Sequence, residues 1–83
     1  MNKEEFIVKL KKIVQPYIQD EDAFSALNEE TEFIKDLKIN SANLVDVILD
    51  VEDEFDIRIE NDEMEQMLSV KVAMSIVESK LGN

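Results

Sequence analysis

The chain contains no cysteine and no histidine. Without cysteine neither a disulfide framework nor a thiolate metal site can form, and without histidine the commonest metal ligand and general base is missing. Any thiol chemistry must therefore be imported. Tryptophan is absent, there is one Gly and one Pro, and aromatic residues make up only 6% of the chain. There is no internal repeat and no low-complexity segment beyond short acidic runs. No apolar run approaches the roughly 18 residues needed to span a bilayer, and Met1-Asn2-Lys3-Glu4-Glu5 offers no signal-peptide apolar stretch. These features lead us to expect a cytoplasmic monomer. Positive charge is also scarce: nine Lys and Arg stand against twenty Asp and Glu, a net charge of −11. That field repels nucleic acid and anionic lipid and favours basic partners.

What is present suffices for one domain, expected to cover residues 1–83. Hydrophobic residues reach 45% and charged ones 35%, enough apolar material for a core and too much for disorder. Phe6, Leu10, Ile13 and Tyr17, reinforced by Ile7 and Val14, recur at helical spacing, and Asn2 with Glu5 three positions on resembles a helix start. Pro16 lacks an amide hydrogen, so this first helix should kink or end near it. Lys9, Lys11 and Lys12 read as a solvated face.

Residues 18–40 follow no period and read as a long loop pinned by Phe24, Leu27, Phe33, Ile34 and Leu37, with room for a short helical turn. Leu44, Val45, Ile48, Val51 and Phe55 then form an apolar stripe, which predicts a second helix over 40–55. Its other face carries Ala42, Asp46, Leu49, Asp50 and Asp53. Ile57 and Ile59 around Arg58 read as an extended connector. Asn61 is the expected cap of a short helix ending near Met67. Ser69 is the expected cap of the last helix, with Val70, Ala73, Ile76, Val77 and Leu81 turned inward and Gly82 as its stop. The expected architecture is all-α: a four-helix bundle of three long helices and one short, with a long loop between the first two.

Few residues can carry chemistry. A serine hydroxyl is a poor nucleophile without a base, and no His exists to supply one, which argues against a hydrolase. Carboxylate pairs such as Asp50 and Glu54 lie on a richly acidic helix with no sign of a desolvated pocket. A calcium loop needs a Gly at its sharp turn, and the sole Gly is Gly82. Catalytic residues and a metal site are therefore not expected. Ser41 differs by position, directly after the cap residue Asn40 at a helix start, where unpaired amides and a partial positive charge stabilise a phosphodiester. On position alone an ordinary capping serine is the simpler reading, because Ser is common at helix starts for structural reasons.

The segment FIKDLKINSANLVDVILDVEDEFDIRI, from Phe33 to Ile59, resembles the acyl carrier protein family. That family's pattern is a DLG-x-DSL segment followed by an apolar and acidic helix ending in an E-E-F-G-like stretch. Asp36-Leu37, Ser41, Val45, Asp46, Glu52, Asp53, Glu54 and Phe55 carry the match. The resemblance implies a non-catalytic carrier in which a separate phosphopantetheinyl transferase joins 4'-phosphopantetheine from coenzyme A to Ser41. It further implies that Ala42, Asp46, Leu49, Glu52 and Asp53 are read by basic patches on acyl-loading and acyl-processing enzymes. Phe33, Val45, Ile48, Ile59, Met64, Met67, Ala73 and Ile76 are the matching positions for sheltering an acyl chain; equally, they are ordinary core residues.

Three positions depart from the pattern: Asn40 replaces the usual Asp, Ala42 the usual Leu, and Lys38 the Gly of DLG. Asn caps as well as Asp but removes a negative charge beside Ser41. Ala42 removes apolar surface. Lys38 leaves the loop unstrained if its φ is negative. Together these departures suggest a specialised carrier, in a lipid or polyketide pathway, with dedicated partners. Two rivals share most features: an aminoacyl or peptidyl carrier, and an unmodified acidic helical interaction protein.

Overall fold

The computed structural model describes residues 2–82; Met1 and Asn83, the ends of the expected domain, lie outside the described residues. The first helix, α1 (Lys3–Val14), starts where the Asn2 side chain accepts a hydrogen bond from the Glu5 amide at 2.8 Å. It buries Phe6, Leu10 and Val14 and half-buries Ile7 and Ile13, and Tyr17 just beyond it is also half-buried. Pro16 falls in a 3-10 turn, Gln15–Tyr17, that ends the helix as its missing amide requires. The lysine face is partly engaged: Lys9 lies 3.9 Å from a Glu54 carboxylate and 5.3 Å from the centroid of the Phe55 ring, and Lys11 covers Phe24.

The segment expected to be a loop contains a short helix, α2 (Glu21–Ser25), so among the described residues there are three long α-helices and two short ones rather than three and one. Asp20 starts it, its carboxylate accepting from the Asp22 and Ala23 amides at 3.0 and 3.2 Å. The remainder is fastened by backbone. The Phe33 amide donates to the Leu68 carbonyl at 3.0 Å, and the Val70 and Lys71 amides donate to Thr31 and Glu29 at 2.9 Å each. Phe33, Leu37, Ile39 and Leu27 are buried here, whereas Ile34, expected as an anchor, is 43% exposed.

The second long helix, α3 (Ser41–Phe55), buries Leu44, Val47, Ile48, Val51 and Phe55. Val47 takes the place expected for Val45, which is 47% exposed. The two valines lie on opposite flanks of one stripe, and the neighbouring elements close over the Val47 side. The Phe55 ring stacks on Phe6, with centroids 5.5 Å apart, and joins α3 to α1. Asp56, at φ 53°, ends the helix in a left-handed cap whose amide donates to the Glu52 carbonyl. The connector after it has no regular secondary structure, with Ile59 buried and Arg58 exposed.

Helix α4 (Asn61–Gln66) is capped by Glu60 rather than Asn61, with the Glu63 carboxylate accepting from the Glu60 amide at 2.9 Å. The last helix, α5 (Val70–Leu81), begins at Ser69 and ends at Gly82, φ 80°. It buries Val70, Ala73 and Val77, while Leu81 is exposed at the terminus and Ile76 is half-buried. Lys80 on α5 reaches Glu63 on α4 at 2.7 Å. That hydrogen bond, followed by the one from the Glu60 amide, lowers the Glu63 pKa, and the same pairing raises that of Lys80. The buried side chains of all three long helices and of the 27–39 segment form one continuous core.

Lys38 has φ 57°, so the condition for an unstrained loop, a negative torsion there, is not met. A β-carbon in the left-handed region costs on the order of 1 kcal/mol that glycine does not incur. Lys38→Gly should therefore raise the melting temperature by about 4 °C; a fall would mean that the lysine side chain adds more to the fold than its backbone costs.

Candidate functional site

Helix α3 opens on a cap that leaves one hydroxyl outside. Asn40 is extended (φ −75°, ψ 164°), and its side-chain oxygen accepts from the Asn43 amide at 2.8 Å. Its carbonyl accepts from the Leu44 amide at 2.9 Å, the first rung of the helix. Ser41 is thus the first helical residue, and it is exposed. Among the described residues neither its hydroxyl nor the Ser41 and Ala42 amides have a hydrogen-bond acceptor. Amides so placed carry the positive end of the helix dipole. Beside them is a hollow of about 440 Å³ lined by Tyr17, Gln19, Asp20, Leu37, Lys38, Asn40 and Asn43.

Ala42, Asp46, Leu49 and Asp53 fall on one exposed stripe of α3, running away from Ser41. Leu49 is 45% exposed, and Val45, which the sequence pattern assigned to the interior, adds a second apolar residue at its edge. Glu52 stands apart. It is half-buried, and its carboxylate accepts from the Ile59 amide at 2.6 Å, tying the connector back to α3. Its charge serves the fold as well as the surface. Helical spacing places Tyr17 only in the core, yet its hydroxyl donates to the Asp50 carboxylate at 3.4 Å. Partial burial, then the charges of Asp50 and Asp46, push the Tyr17 pKa upward, so the group remains a donor.

The residues matched to an acyl shelter divide in three. Phe33, Ile48, Ile59, Met67 and Ala73 are buried together in the core, Met64 and Ile76 pack half-buried against it, and Val45 lies outside. None of these eight residues lines the five surface hollows described. Two methionines at this junction leave packing that adapts without breaking hydrogen bonds. Among the described residues no cluster of acids suited to a metal ion occurs, and no helix is long and apolar enough to cross a membrane.

No protein-family model matches the chain. Curated relatives do. The chain is similar to the acyl carrier protein of Thermotoga maritima, 32% identical over 81 residues with 98% of each chain covered. It is 36% identical over 83 residues to that of Lactobacillus acidophilus, covering 99% of this chain and 100% of the relative. With the acyl carrier protein of a Picosynechococcus species the identity is 38% over 82 residues, covering 99% and 98%. Among solved structures, the acyl carrier protein of Enterococcus faecalis superposes with a TM-score of 0.76 at 25% identity, over 96% of this chain and 99% of that one. Full-length similarity to curated relatives and a shared helical bundle agree on one conclusion: the chain belongs to the acyl carrier protein family.

Proposed function

We propose that this chain is a single-domain carrier that holds acyl groups as thioesters on a 4'-phosphopantetheine arm joined to Ser41. Members of its family are carriers, not enzymes. The observation that supports Ser41 is its exposed hydroxyl at the first residue of α3, with two amides lacking internal partners beside it. These residues fit the group: the hydroxyl is the attachment atom, and the Ser41 and Ala42 amides face outward where a phosphate would be held. When bound, the arm supplies the thiol that the cysteine-free chain lacks.

Attachment forms a bond from the Ser41 oxygen to phosphorus and breaks the pyrophosphate bond of coenzyme A, releasing the nucleotide portion. The chain has no histidine to accept the hydroxyl proton, so the base belongs to the phosphopantetheinyl transferase. The proteins that load and process the cargo dock through cationic patches on the stripe of Ala42, Asp46, Leu49 and Asp53, with Glu52 contributing charge at its flank. At the centre of that stripe, Leu49 adds apolar contact to an otherwise electrostatic surface. Asn40 and Ala42 make the approach to Ser41 less acidic and less apolar than the family pattern, which favours dedicated partners in a specialised lipid or polyketide pathway.

Incubation with coenzyme A and a broad-specificity transferase should add one phosphopantetheine mass to the wild-type chain and none to Ser41→Ala. Failure of the wild type to be modified would leave an unmodified acidic interaction protein as the better reading. Asp46→Lys combined with Asp53→Lys should slow association with the transferase about tenfold at low ionic strength, with helical content unchanged. Unaltered association kinetics would reject the stripe as the docking surface.

A further inference from the structure

We infer that Lys38 is a positioning residue for the phosphodiester attached through Ser41, its ammonium pairing with the phosphate oxygens. The inference rests on the Ser41 reading above and adds to it a residue that the family pattern does not supply, since that pattern has glycine at this position.

Among the described residues two other than glycine have positive φ, Lys38 and Asp56. Asp56 is explained by its place: it caps α3 and its amide donates to the Glu52 carbonyl. Lys38 has no such role. Its torsion is imposed from both sides, because Leu37 and Ile39 are buried and their amides are held by the Glu32 and Phe33 carbonyls at 3.2 and 3.1 Å. With its neighbours anchored inward, the Lys38 side chain is left exposed at the rim of the hollow it shares with Asn40 and Asn43. Only Ile39 and Asn40 separate it from Ser41, three steps of chain and at most about 10 Å of backbone.

The ammonium is also uncommitted. Lys3, Lys9 and Lys80 each have a carboxylate within 4 Å, at Glu29, Glu54 and Glu63, whereas Lys38 has none among the described residues. Two acids come near. Asp20 lines the same hollow but directs its carboxylate to the amides that start α2, and Asp36 accepts from the Glu32 amide at 2.8 Å. The Tyr17 hydroxyl, also at the hollow, is turned to Asp50. Asn40 places a neutral side chain where an acid would have competed for the lysine. A cation without a carboxylate partner, in a chain of net charge −11, thus lies three positions before the residue that would carry a singly charged phosphodiester, in a hollow lined by the cap residue Asn40.

A thermal cycle tests this. Wild type and Lys38→Gln, which keeps the backbone constraint but removes the charge, are each loaded by a broad-specificity transferase. Intact mass verifies loading, and each is melted with and without the arm at low ionic strength. Loading should raise the melting temperature of the wild type by about 2–4 °C more than that of Lys38→Gln, the size expected of one exposed charge pair in a domain this small. The excess should vanish near 1 M salt, where the screening length falls to about 3 Å. An equal change on loading in both chains overturns the role of Lys38 while leaving Ser41 as the attachment site. Absence of an adduct on the wild type overturns the Ser41 reading and the Lys38 role together.

Discussion

The hydrogen bond from the Asn43 amide to the Asn40 side chain decides where α3 begins, and the placement of the candidate site follows from it. A start one residue later would make Ser41 the cap and turn its hydroxyl back onto the Asn43 or Leu44 amide. Because Asn40 takes that duty, the serine oxygen faces solvent and two amides beside it remain unspent. The cap is itself held in place from behind. Ile39 and Leu37 are buried in the core, so the residues leading into the helix cannot drift, even though this fixes Lys38 in a conformation a lysine seldom adopts.

The rest of α3 joins two tasks on one cylinder. Its inward face meets α1 through Phe55 and Phe6, while its outward face presents carboxylates and two exposed apolar residues. The division is not complete. Glu52 spends its carboxylate on the Ile59 amide, and Asp50 receives the Tyr17 hydroxyl, so part of the acidic charge is tied to the fold. Charges placed this way raise the cost of compaction through mutual repulsion but give an oriented field that favours cationic groups over anionic ones at the helix.

Much of the fold is legible in the residues. Helical spacing in 6–17 and 70–81, the break at Pro16, the Ser69 cap and the Gly82 stop all correspond to observed features. The departures have local causes. Short helix α2 has too few turns for a period to appear, and its signal is only the Asp20 cap before a charge run. Val45 and Val47 are equivalent to periodicity and are separated only by which side the neighbours occupy. Glu60 precedes Asn61 as cap because the reciprocal bond with Glu63 outweighs the preference for Asn at a lone cap position. The site divides in the same way. Ser41 is visible as a helix-start serine inside a family pattern, whereas the Lys38 torsion and the Glu52 tether depend on backbone geometry that no residue type announces.

The most direct test of the account compares backbone amide resonances of the unloaded and arm-bearing chains. The Ser41 and Ala42 amides should show the largest shifts, moving downfield as they gain an acceptor, while amides at Phe6, Val51 and Val77 in the core stay put. Unmoved Ser41 and Ala42 resonances, or shifts spread evenly through the core, would contradict the claim that the open end of α3 holds the phosphate.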